Sequence, residues 1–157
     1  MGVNLMKWID QDLQQYIQAK EYVDTVLIPL TPFHFTNDSM ITKSARQKEA
    51  LTVLLSEIEK VLSGRILLSP SYYYLKNMNL EEESKRVNTW IENAMEQPFK
   101  YVFLVTFDSK WKKHEELLNG HLLWLPAIEG DFRSKEMASI IRGQVDQISE
   151  FIQSYWS

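Results

Sequence analysis

The chain has 157 residues, 45% hydrophobic and 24% charged, a balance that excludes disorder and predicts one domain, residues 1–157, able to bury roughly 68–70% of its unfolded surface. A formal net charge of −4 excludes the basic footprint that displaces counterions from a phosphate backbone, so no nucleic-acid partner is expected. The absence of cysteine excludes disulfides, thiolate nucleophiles and Cys-ligated metal or iron–sulfur centres.

The opening Met1-Gly2-Val3-Asn4-Leu5-Met6-Lys7-Trp8 lacks the long apolar segment of a signal peptide. No run reaches the ~20 apolar residues that span a bilayer, so a cytoplasmic location without direct membrane insertion is expected. Ile9, Leu13, Tyr16 and Ile17 recur at helical spacing, with Asp10 and Asp12 at the positive end of the dipole, which predicts a first helix running to about Lys20. Tyr22-Val23-Asp24-Thr25-Val26-Leu27-Ile28-Pro29-Leu30 is a nearly unbroken apolar run closed by prolines. It predicts a strand buried on both faces, at the centre of a parallel sheet.

After Thr31-Pro32-Phe33-His34-Phe35, Asp38 or Ser39 is placed to cap a long helix whose apolar stripe is Leu51, Leu54, Leu55, Ile58, Val61 and Leu62, with Gly64 as its left-handed terminator. Arg65 to Ser69 predicts a second strand, stopped by Pro70 and followed by the run Tyr72-Tyr73-Tyr74. A helix from about Asn79 carries Glu81, Glu82 and Glu83 in its first turn and is predicted to bury Leu80, Val87, Trp90, Ile91 and Ala94. Tyr101 to Phe107 is a third strand, as apolar as the first. Asp108 or Ser109 then caps a short helix through Trp111, Glu115 and Leu118, Asn119-Gly120 turns the chain, and His121 to Leu125 is a fourth strand. A last helix from about Phe132 carries Ile141, Val145, Ile148, Ile152 and Tyr155; Gly143 within it costs ~1 kcal/mol relative to Ala.

Strands alternating with helices, over connections too long for hairpins, predict right-handed parallel crossovers. The expected fold is α/β, a three-layer α-β-α arrangement of flavodoxin-like or Rossmann-like type with a four-stranded parallel sheet. Placing the two most apolar strands, first and third, side by side gives the order 2-1-3-4.

Ligands of such sheets lie beyond the carboxyl ends of the strands. That edge collects Thr31 to Asn37, Ser69 to Tyr74, Asp108 to Trp111 and Ala127 to Asp131. Neither GxGxxG nor GxxxxGK[ST] occurs, and the loop after the first strand has no glycine to bring amides to an anion, so no cofactor is expected. His34, His114 and His121 lack metal-ligand spacing, and of them only His34 stands on the edge, where it is the candidate general base. Asp108 occupies the position of a receiver-domain phosphoacceptor, but Thr31 and His34 stand where magnesium-binding acids belong, so it reads as a helix cap.

The candidate binding edge is therefore Thr31, Phe33, His34, Phe35, Ser69, Tyr72, Tyr73, Tyr74, Asp108 and Trp111. Along an extended Tyr72-Tyr73-Tyr74, side chains alternate, so either Tyr73 points inward with its neighbours outward or the reverse. Outward tyrosines with Phe33, Phe35 and Trp111 form an aromatic recognition patch; otherwise they roof the sheet's end. Two classes of function follow. One is a non-catalytic binding or regulatory module with a protein partner rather than a small molecule. The alternative is a small-ligand binder or enzyme that brings Thr31, His34, Ser69 and Asp108 together at the switch point between the first and third strands.

Lys7-Trp8, Asp12, Tyr16, Ala19 to Thr25 and Leu27-Ile28-Pro29-Leu30, with Trp124-Leu125-Pro126 later on, resemble the YpiF-type family of bacilli. The resemblance covers most of the chain. It implies a Gram-positive cytoplasmic protein, a domain of unknown function with no activity or site residues attached. Members are often encoded near menaquinol–cytochrome c reductase genes, which implies a respiratory connection by association alone.

Overall fold

The computed structural model describes residues 6–128 and 134–156. Helix α1 (Asp10–Gln18) and a 3-10 turn at Lys20–Tyr22 precede β1 (Thr25–Phe33), α2 (Asp38–Val61), β2 (Ile66–Leu68) and β3 (Tyr72–Leu75). Then come α3 (Leu80–Ala94), β4 (Tyr101–Thr106), a 3-10 segment at Ser109–Leu117, β5 (His121–Trp124) and α4 (Lys135–Trp156). The expectations for Met1 to Leu5, for the edge residues Glu129 to Asp131 and for Phe132 lie outside the described residues.

Every strand pairing is parallel and the order is β2-β1-β4-β5, the arrangement expected for the four strands read from the sequence. The sheet has a fifth strand, however, because β3 runs alongside β1 in line with β2, pairing Leu30 with Tyr72 and Phe33 with Leu75. It exists because β1 does not stop at Leu30 but continues through Pro29 and Pro32 to Phe33. Leu27 O accepts from Ser69 N and Phe33 O from Lys76 N, so residues of that parity face β2 and β3. Pro29 shares the parity and falls between the Leu27–Leu68 and Leu30–Tyr72 pairs, where Ser69-Pro70-Ser71 already breaks the ladder. The proline's missing donor is tolerated there.

Alternation along the strands divides the core into two. Leu27, Phe103, Val105 and Leu123 face α2 and α4, meeting Leu54, Ile58, Val145 and Ile152. Val26, Ile28, Leu30, Val102 and Leu104 face α1, α3 and the 3-10 segment, meeting Tyr16, Val87, Ile91 and Trp111. Each such side chain contributes about 1.5–3 kcal/mol of burial free energy.

The caps follow the local chemistry with one correction. Asn37, rather than Asp38 or Ser39, caps α2 by accepting from Met40 N at 2.9 Å, whereas Asn79 caps α3 through Glu81 N at 2.9 Å. Gly64, at φ 86°, takes the left-handed conformation after α2. Four burial expectations also change, the first at Val61, which the apolar stripe of α2 included but which stands 57% exposed at the last residue of the helix. Ile9 and Ile17 face solvent and Trp90 is 37% exposed, because the nine-residue α1 covers little of the sheet and sends only Tyr16, with Leu13 beside it, against the core. Among the described residues no helix is long and apolar enough to cross a membrane.

Candidate functional site

Beyond the carboxyl ends of β1, β3 and β4 the side chains separate into a sealed group and a solvent-facing one. The register of β3 against β1 sends Tyr72 and Tyr74 inward and Tyr73 and Leu75 outward. Tyr74 OH donates to Asp108 Oδ2 at 2.6 Å and accepts from Trp111 Nε1 at 2.7 Å. Asp108 Oδ1 accepts from Lys110 N, Asp108 N donates to Thr106 Oγ1, and Thr106 Oγ1 donates to Leu30 O. Nearby, Tyr72 OH donates to Glu83 Oε1 at 2.5 Å, while Arg86 Nη1 holds Glu83 Oε2 at 2.6 Å. Burial first, and the Asp108 charge second, push the Tyr74 phenol far above its usual range; burial and Glu83 do the same at Tyr72. Both are locked as neutral donors rather than poised for proton transfer.

This sealing overturns part of the expected patch. Tyr72, Tyr74 and Trp111 are buried and make no surface, so a contact carried by an outward Tyr72 or Tyr74 does not exist. They roof the sheet's end. Asp108 accepts through both oxygens and caps the 3-10 segment, as its position after a strand suggested.

The solvent-facing group is Phe33, Phe35 and Tyr73. Phe35 is 74% exposed and Tyr73 50%, and their rings meet Phe33 edge-on at centroid distances of 5.7 and 6.2 Å. With Ile41 and Ala45 of α2 they border an open apolar hollow of about 430 Å³. Thr31 lines it at 3% exposure, and its Oγ1 has no hydrogen-bond partner. His34 also lines the hollow, with Nδ1 3.3 Å from Thr36 Oγ1. Ser69 lies elsewhere, its hydroxyl donating to Pro70 O at the border of a groove between α1 and α3. Thr31 and His34 thus share one site, while Ser69 and Asp108 belong to two others.

Two features escaped sequence reasoning. The groove between α1 and α3, about 800 Å³, has Val26, Ile28 and Leu67 at its floor and Tyr16 and Trp90 in its walls. Tyr16 OH donates to Gln97 Oε1 across its border at 2.9 Å. Its signal was an apolar stripe on α1 larger than a short helix can bury. The second is Glu59, which is 0% exposed and follows Leu55 by four positions within the apolar stripe of α2. Its Oε1 accepts from Met6 N at 2.5 Å and its Oε2 has no partner. Burial raises its carboxyl above the ordinary value, more than the Met6 bond and the neighbouring Lys7 and Lys60 lower it. Among the described residues, no group of three or more His, Asp or Glu side chains is placed to hold a metal ion.

Comparison with known proteins agrees with the resemblance read from the sequence. The family model described as "Protein of unknown function (DUF2487)" matches residues 14–156. The "Uncharacterized protein YpiF" of Bacillus subtilis (strain 168) is 33% identical over 113 residues, which are 71% of this chain and 72% of that protein. No solved structure matches.

Proposed function

The chain belongs to the DUF2487 family, and we propose that it is a non-catalytic binding or regulatory module of the cytoplasm that holds a protein partner at the carboxyl edge of its sheet. The observation that carries this reading is the cluster of Phe33, Phe35 and Tyr73 beside Ile41, which keeps contiguous aromatic surface in water on one edge. Single exposed apolar residues are ordinary, but an apolar cluster rimmed by polar groups is characteristic of contact sites, and aromatics give large contact area at low entropic cost. The dispersal of Thr31, His34, Ser69 and Asp108 supports binding over catalysis, since general-base work requires groups within hydrogen-bonding reach of one another. A second reading, a small-ligand binder, draws on the groove between α1 and α3, whose volume falls within the usual range of ligand sites.

The test is site-specific photocrosslinking in cells, with the crosslinking amino acid at position 35 or 73 and, as control, at the exposed Glu92 of α3. Discrete protein adducts at 35 and 73, absent at 92, are expected. Equal or absent adducts at all three positions would sink the reading.

A further inference from the structure

The hollow has a chemical bias that narrows its occupant. Although the chain has 21 acidic residues against 17 basic ones, no carboxylate lines this hollow or the shallow depression beside it. Their linings hold Lys48, and Lys43 with Lys76 and His34, respectively. Like most lysines among the described residues, Lys43, Lys48 and Lys76 form no ion pair; what sets them apart is that no carboxylate stands with them in the linings they share. An acidic protein here sets three lysines, with no carboxylate between them, around an aromatic cluster.

Two further observations fit one occupant. From Asp38 to Glu49 no residue of α2 is buried, and burial begins only at Ala50, so the helix runs well past the core that supports it and its inner side overlooks the hollow. The exposed lining of the hollow is apolar surface of Phe33, Phe35, Ile41, Ala45 and Tyr73, while Thr31 Oγ1 lies sealed beneath it, as far out of reach of an occupant as of water. A Tyr or Trp side chain would bury its ring against that lining and keep its polar tip in water at the open rim.

Resting on the reading of this edge as a protein-binding surface, we infer that the partner presents an acidic segment with one polar-tipped aromatic side chain, whose ring enters the hollow among Phe33, Phe35, Ile41 and Tyr73 while flanking carboxylates meet Lys43, Lys48 and Lys76. Charge complementarity selects this class. Single-stranded nucleic acid also combines phosphates with stacking, but it tracks a continuous basic groove, and this molecule carries a net charge of −4.

The experiment is selection from a random phage-displayed peptide library on the full chain, followed by fluorescence anisotropy of the enriched peptides against variants first shown to melt like the wild type. Enriched peptides should combine Asp or Glu with Tyr or Trp. Their affinity should fall about tenfold or more in the Lys43→Glu/Lys76→Glu double variant and about three- to tenfold in Lys48→Glu, with Lys48→Arg restoring it. If enriched peptides depend on Phe35, as judged by Phe35→Ala, yet are neutral or basic, this inference is wrong while the protein-binding reading stands. Peptides indifferent to Phe35→Ala, or no enrichment over that variant used as bait, overturn both. So does tighter binding of an oligo(dT) or of phosphatidylglycerol vesicles than of any selected peptide.

Discussion

Glu59 is a carboxyl group in a position that the helix stripe reserves for an apolar residue, and its Oε2 is buried without a partner, which costs free energy. Because burial raises its carboxyl above the ordinary value, the folded chain holds that proton more tightly than the unfolded one. The stabilising contribution is complete below the ordinary carboxylate range and is lost as pH rises through the raised value. Glu59→Gln keeps an oxygen for Met6 N and removes the titration, so it should flatten the decline in stability between mildly acidic and neutral pH. Urea unfolding of both proteins across that interval checks this, and an unchanged slope would exonerate Glu59. Tyr74→Phe makes the opposite case. It leaves Trp111 Nε1 and Asp108 Oδ2 buried without their partner, at a cost of about 2–3 kcal/mol in denaturant unfolding, yet it should not alter capture of a partner at Phe35.

At the scale of elements, stability and binding divide along α2 and the central strands. Leu104 of β4 is fully buried between β1 and β5, so Leu104→Ala should cost about 2–5 kcal/mol, a large share of the roughly 5–15 kcal/mol that holds a domain folded. Ile41 belongs to the overhanging turns of α2 and is 41% exposed, so Ile41→Ala should stay within about 0.5 kcal/mol. Chemical denaturation of the two variants measures the contrast; a large cost at Ile41 would mean that those turns are part of the core. β3 shows how one element changes its neighbours. Once β1 passes its prolines, a strand can form beside its far half, and the parity of that strand decides which tyrosines are sealed and which are exposed.

Across the whole molecule, the segments that become strands and helices were legible because each choice is local. A strand buried on both faces must be apolar at consecutive positions, so Val26 to Ile28 and Val102 to Val105 announced a central parallel pair, and the apolar spacing of α2 and α4 announced their inner faces. The extent of β1 was misread because a proline's effect depends on whether a neighbouring strand needs its missing donor there, which the sequence of one strand does not contain. The site was legible as an edge but not as a surface. Whether Tyr72 or Tyr73 faces water depends on the register Leu30–Tyr72, a pairing across the sheet, and a one-residue slip would exchange them. Likewise Tyr74 finds Asp108 and Trp111 at sequence separations of 34 and 37 residues, and Met6 finds Glu59 at 53. Composition and periodicity act over a few residues and so determined the helices, four of the five strands and the order of those four, whereas β3, the sealing of polar groups and the choice of which aromatics remain to meet a partner arise only when the sheet is assembled, and tertiary structure alone decided them.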